Sequence, residues 1–345
     1  MSSLDHYYIV SDICDLYEIA EDNVNVLMEK CPGKSILLHA PDGLKPLYKC
    51  IQRILGNVCN VYFSTSPGYG ACDIPFEEAS AIGADLIIHI GHSRYILGPG
   101  FKPFIEIIYL PVYYKVKPPD TILTELDKEL GANNAKKLTV SSTVIETRIR
   151  NYVVNYLREK GYEVYEIHEP ILGCYYSNVM SLDDLVDVHV VISGGLFHPY
   201  GLGLISNKKV IAFDPYSWRT WVVNPEIEKI RRKRIFILNK VKYAGVKNVG
   251  IVIGSRPGQY RPVLIKYIEE LAISAGMNVF KIVSTYVNKE SLIAIDNAMN
   301  MDAYVVTTCP RLPIDDLYDF HKPVLTPGEF MMIVKNINDK YIYPW

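Results

Sequence analysis

The sequence has no window of the roughly 18 uncharged apolar residues that a membrane-spanning helix needs, although 49% of its 345 residues are hydrophobic. It has no basic segment leading into an apolar stretch at its start. Met1 to Asp12 carries Asp5, His6 and Asp12 instead, so no signal peptide is expected and a cytoplasmic location is. Charge of one sign is not in excess. The formal net charge of −2 gives no general pull towards nucleic acid. No segment has the composition of a disordered tail. The seven cysteines form no CxxC or similar local motif. An odd count in a large intracellular chain also argues against a disulfide framework, because reducing compartments keep thiols free. The cysteines are then small hydrophobes, metal ligands or a nucleophile.

What the chain does have is a threefold internal repeat. At 345 residues it is too long for one ordinary core. Three segments open with a short apolar strand: Lys34–Ala40, Lys137–Thr143 and Asn248–Gly254. Each runs into a turn and a helix-like stretch. The turns are Pro41-Asp42-Gly43, Val144-Ile145-Glu146 and Arg256-Pro257-Gly258-Gln259. Second strands follow at Asn60–Ser64, Glu163–Ile167 and Asn278–Val283. Third strands are nearly continuous apolar runs, Asp85–Ile90, His189–Ser193 and Ala303–Thr307, the pattern of a strand covered on both faces. Fourth strands close each unit at Ile105–Leu110, Val210–Phe213 and Pro323–Leu325. Alternation of strand and helix means parallel sheets. The expected fold is α/β, with three similar domains, each a small parallel sheet flanked by helices. The domains are expected at 1–122, 123–222 and 223–345, carrying Cys72, Cys174 and Cys309 respectively.

In open parallel sheets, ligands bind beyond the carboxyl ends of the strands. That rule selects three cysteines. Cys72 and Cys174 follow second strands and Cys309 follows a third strand, at the corner that Gly91-His92-Ser93 holds in the first unit. If the lobes pack with these ends inward, the thiols converge. Four cysteines saturate a four-iron cluster, and three leave one iron open for a substrate. Glycines beside Cys72 and Cys174 would let backbone approach a bulky inorganic group, and Pro310 fixes the chain after Cys309. Cys14, Cys31, Cys50 and Cys59 read as small hydrophobes.

The motifs Tyr69-Gly70-Ala71-Cys72-Asp73, His89-Ile90-Gly91-His92-Ser93, Leu172-Gly173-Cys174 and Gly194-Gly195-Leu196-Phe197-His198-Pro199 carry a family likeness. So do Asp214-Pro215-Tyr216, Arg256-Pro257-Gly258-Gln259, Thr308-Cys309-Pro310-Arg311 through Asp316, and Pro323-Val324-Leu325-Thr326-Pro327. Together they resemble the archaeal diphthamide-synthesis enzymes that make 3-amino-3-carboxypropyl histidine, over nearly the whole chain. The resemblance implies one [4Fe–4S] cluster on Cys72, Cys174 and Cys309, with S-adenosylmethionine at the open iron. It implies reductive cleavage by a non-classical radical route and transfer of the aminocarboxypropyl group to a histidine of translation elongation factor 2. It also implies a homodimer and an external electron donor. On placement, Arg311 is expected to pair with the co-substrate carboxylate. His92, Ser93, Gly195, His198 and Gln259 are expected to line the co-substrate. No catalytic residue beyond the cluster is expected.

Rival readings have the same three thiolates. A quinolinate-synthase-like dehydratase would use the open iron as a Lewis acid. A non-catalytic partner subunit would relay electrons, and an interaction module would hold zinc. The run Arg231-Arg232-Lys233-Arg234 reads as a solvated helix face, with docking of the elongation factor as the alternative.

Overall fold

The computed structural model describes residues 12–95, 97, 101–338 and 340–344. The stretch Met1–Ser11, on which part of the reading of the N-terminus rests, lies outside the described residues. Among the described residues no helix is long and apolar enough to cross a membrane.

The first lobe contains β1 (Tyr17–Glu18), β2 (Ser35–His39), β3 (Asn60–Phe63), β4 (Leu86–Ile90), β5 (Glu106–Leu110) and β6 (Tyr113–Tyr114). Four of these form a parallel sheet in the order β3-β2-β4-β5, while β1 and β6 make a small antiparallel pair beside it. The second lobe contains β7 (Lys137–Ser142), β8 (Glu163–Glu166), β9 (Val188–Ile192), β10 (Lys209–Asp214) and β11 (Arg219–Val222). Its order is β8-β7-β9-β10, with β11 added antiparallel at the β10 edge. The third lobe contains β12 (Asn248–Gly254), β13 (Asn278–Ser284), β14 (Ala303–Val306) and β15 (Val324–Leu325), in the order β13-β12-β14-β15. Second, first, third, fourth is thus the strand order of every lobe. The predicted strands match these spans to within a residue or so at their ends.

Why these segments are central strands is visible in their side chains. All five residues of β4 and of β9 are buried. Successive residues feed opposite faces, as period-2 geometry requires. Ile36 and Leu38 pack with Ile51 and Leu55 on one face of the first sheet, and Leu37 packs with Ile74 and Phe76 on the other. In the second lobe Val190 and Ile192 join one core and Val191 the other. In the third, Ile251 and Ile253 join one and Val252 the other. Each such side chain fully buried contributes about 1.5–3 kcal/mol. Helices on both faces are therefore required, and the carboxyl strand ends are the part of each sheet left for a site.

Two sequence expectations fail here. Cys14 and Cys50 are not free small hydrophobes but a disulfide, with Cα atoms 5.6 Å apart. The bridge ties the short helical turn Ile13–Leu16 to the helix Tyr48–Leu55, joining residues 36 apart. Spacing alone carries no signal for such a pair. Cys31 and Cys59 do pack in and against the first-lobe core.

The basic run is not a solvated face either. In the helix Asn224–Ala244, Arg234 falls on the buried stripe with Ile227, Leu238 and Val241, at helical spacing. It pairs with the buried Glu329 and donates to the carbonyl oxygens of Pro313 (3.0 Å) and Val324 (2.7 Å). Glu329 in turn closes a capping box with Thr326. Arg231 donates to the Gly203, Leu204 and Ser206 carbonyl oxygens, at the C-terminal end of the helix Phe197–Ile205. Only Arg232 and Lys233 of the four are exposed.

Candidate active site

The carboxyl ends of the three sheets meet at one cavity of about 650 Å³, lined by residues of the first and second lobes together with Cys309. Cys72, Cys174 and Cys309 all line it. Each comes from a loop beyond a strand end: Cys72 after β3, Cys174 after β8, Cys309 after β14. The Cys174 loop is closed by a bridge between Leu172 and Tyr175.

The thiols feel one another. Burial raises the pKa of all three, and the charge of a neighbouring thiolate raises Cys72 and Cys309 further. Cys309 is pushed up to about 12. Three thiolates therefore do not coexist here unless a positive centre compensates them. The donor set suits a soft metal centre. The three sulfurs do not all lie within 4.8 Å of one another. A single zinc at a Zn–S distance of ~2.3 Å needs its ligand sulfurs closer than ~4.6 Å.

Three histidines form an array that opens on this cavity. His92 lines it, and its Nδ1 lies 2.8 Å from His89 Nε2. His89 Nδ1 lies 2.9 Å from His39 Nδ1. His39 and His89 face each other across the β2–β4 register. Burial, with the neighbouring charges, lowers His39 to about 3. Burial lowers His92 to about 4 and holds His89 well below the ordinary imidazole range. His198 also lines the cavity, and burial followed by the Arg311 charge lowers it to about 3. Its Nδ1 is buried without a hydrogen-bond partner, so it is available to a ligand. The imidazoles that line the cavity, His92 and His198, are thus neutral at physiological pH.

The predicted site residues divide. Cys72, Cys174, Cys309, His92, Ser93 and His198 line the cavity; Gly194 does so in place of Gly195, whose N–H points to Asp214. Gln259 and Arg311 do not. Gln259 directs its amide at the Cys72 sulfur, Nε2 to Sγ 3.9 Å. Arg311 is buried, and its donors go to Asp315 (2.7 and 3.0 Å) and to the Phe197 carbonyl oxygen (2.6 Å). It lines a second cavity between the second and third lobes, not the central one. Gly173 has its own reason to be glycine. A Cβ there would lie 1.7 Å from the Phe197 ring, so the missing side chain makes room for Phe197.

Sequence reasoning assigned none of His39, His89, Arg94, Glu146 and Tyr216 to the site, although His89, Glu146 and Tyr216 stand in the motifs and turns it singled out. Glu146 also lines the cavity, accepting from Tyr216 Oη at 2.9 Å and from Thr143, and burial raises its pKa. The available signal was the turn after each first strand. It supplies Pro41 and Gly43 in the first lobe and Glu146 in the second to the cavity wall, and Gln259 in the third to the Cys72 sulfur.

A diphthamide synthesis protein family model matches residues 40–344. The 2-(3-amino-3-carboxypropyl)histidine synthase of Pyrococcus horikoshii is 30% identical over 337 residues, covering 94% of this chain and 93% of that protein. The synthase of the same name from Methanocaldococcus jannaschii is 26% identical over 313 residues, covering 87% and 84%. The crystal structure of Dph2 from Pyrococcus horikoshii with a 4Fe-4S cluster superposes with a TM-score of 0.79 at 29% identity, covering 95% of this chain and 94% of that one.

Proposed function

The chain belongs to the diphthamide synthesis protein family, and from that premise we propose that it catalyses the reaction for which its relatives are named, the first step of diphthamide synthesis. In this reading S-adenosylmethionine gives up its 3-amino-3-carboxypropyl group to a histidine of translation elongation factor 2. One observation carries the reading: three cysteine sulfurs from three lobes open into a single cavity. We assign Cys72, Cys174 and Cys309 as the ligands of a [4Fe–4S] cluster. When bound with one iron open, such a centre supplies the single low-potential electron that breaks the sulfonium bond.

The residues of the chain have separate tasks. The neutral His92 and His198 admit a sulfonium cation without charge repulsion, and each offers hydrogen bonds to the methionine or ribose end. Ser93 adds a hydroxyl on the same wall. Arg94 takes the co-substrate carboxylate, since it lines the cavity while the Arg311 donors are engaged elsewhere. A volume of about 650 Å³ suits a drug-sized ligand and still leaves an approach for the target imidazole. The enzyme works in the cytoplasm as a homodimer with an external electron donor.

The test is an anaerobic assay with reductant, S-adenosylmethionine and elongation factor 2, read by the mass of the target histidine. Consumption of S-adenosylmethionine that is no faster with dithionite than without it would defeat the radical reading and favour Lewis-acid chemistry of the dehydratase kind.

A further inference from the structure

The loop that carries Cys72 is held from the third lobe rather than from its own. The turn Arg256–Gln259, beyond the end of β12, lies directly against it. A Cβ on Gly258 would sit 2.4 Å from the Cys72 carbonyl oxygen and 2.6 Å from its Cα, so only glycine permits this approach. The next residue, Gln259, is buried, with its Nε2 3.9 Å from the Cys72 sulfur. Its own side chain packs on Gly254, where an added Cβ would meet Gln259 Cβ at 3.0 Å and Oε1 at 3.3 Å. The amide therefore has little freedom to turn away.

Arg256 fastens the same loop just past the cysteine. Its Nη1 donates to the Ile74 carbonyl oxygen at 3.0 Å and to Glu77 at 2.7 Å, and its Nε lies 3.3 Å from Asp73 Oδ1. The guanidinium stacks over the Tyr286 ring at 4.7 Å, and the Tyr286 hydroxyl donates to Ser66 on the near side of the loop. Arg256 and Asp73 are both buried. One turn of the third lobe thus grips Cys72 and the residues just past it and aims a polar hydrogen at its sulfur, while Tyr286 holds Ser66 on the near side.

We propose that Gln259 is a positioning residue for the cluster site, donating its amide N–H to the Cys72 sulfur, with Arg256 holding the Cys72 loop in reach of it. The inference rests on the cluster reading above and goes beyond the ligand set. Hydrogen bonds to ligand sulfurs stabilise the reduced, more negative state of an iron–sulfur centre and raise its potential. The contact between the first and third lobes then sets how readily the centre is reduced.

The experiment uses anaerobically purified holoprotein without S-adenosylmethionine, so no turnover enters. The fraction of reduced centre is followed by electron paramagnetic resonance at a series of fixed potentials. Gln259→Met keeps the bulk and removes the donor. The expected result is unchanged iron content with the ratio of oxidised to reduced centre raised about three- to tenfold at a given potential, the worth of one hydrogen bond. Gln259→Asn keeps the amide but withdraws it by one carbon, and the same shift is expected. If Gln259→Met fails to hold iron, Gln259→Asn alone decides. Unchanged ratios in both variants would overturn the proposal; a raised KM for S-adenosylmethionine in a separate turnover assay would then make Gln259 a co-substrate contact. A wild-type protein without any iron–sulfur signal is a different failure, one that removes the cluster assignment itself.

Discussion

The Arg311 guanidinium lies 4.4 Å over the Phe197 ring and donates Nη1 to the Phe197 carbonyl oxygen at 2.6 Å. A residue two positions past Cys309 is thereby locked onto the second lobe. Its carboxylate partner, Asp315, is on its own loop. Phe197 borders both the central cavity and the second one. The pair is a seam between lobes, and it fixes the Cys309 loop as Arg256 fixes the Cys72 loop.

Arg311→Met is expected to lower stability by about 1.5–3 kcal/mol, the worth of charge-assisted hydrogen bonds whose carboxylate partner keeps partial access to water. Urea unfolding of the apo-protein measures it. Arg94→Ala is expected to leave stability within about 0.5 kcal/mol, as surface changes do, and to raise KM for S-adenosylmethionine. The reverse pattern would return the carboxylate to Arg311.

Single substitutions of Cys72, Cys174 and Cys309 by Ala are each expected to lower iron content after anaerobic purification. Cys59→Ala is expected to leave it unchanged, since Cys59 packs against the first-lobe core. Equal losses from all four would undo the ligand assignment, and stoichiometric zinc in place of iron would undo the cluster.

Acid sensitivity follows from His39. Burial first, then the Arg256, His92 and Lys45 charges, lower it from 6.5 to about 3. Between those values the unfolded chain holds the extra proton and the folded chain does not. Stability contributed by this group is therefore lost as pH falls below 6.5, by about 1.4 kcal/mol per pH unit. His39→Asn is expected to flatten the pH dependence by that amount in urea unfolding of the apo-protein from pH 7 to pH 5. Parallel curves for the two proteins would show that His39 is protonated in the fold.

The Cys14–Cys50 bridge closes a loop with a sequence separation of 36 residues. Chain-entropy arguments give such a loop about 4 kcal/mol. Cys14→Ser is expected to lower the melting temperature of the apo-protein by a comparable stability loss. Iron content is expected to hold, because neither sulfur lines the cavity. A melting temperature equal to that of wild type would mean that the bridge does not constrain the unfolded chain.

The sequence by itself determined the three repeated sets of strands and the loops that carry the site, while their common spatial order came from the structure. The strand sets and loops follow from local rules. A run such as Leu86–Ile90 must be covered on both faces, and a parallel sheet leaves its carboxyl strand ends for function. Placing Cys72, Cys174 and Cys309 in such loops needed nothing beyond that periodicity. The tertiary structure alone decided which residues face the cavity and which hold its walls. Gln259 and Arg311 stood at strand ends like His92 and His198, yet they grip neighbouring lobes. Gln259 meets a residue 187 positions away and Arg311 one 114 positions away. Contacts of that range leave no periodic trace in a sequence. They depend on how the packed lobes fit, as the Cys14–Cys50 bridge and the His39–His89 pair do.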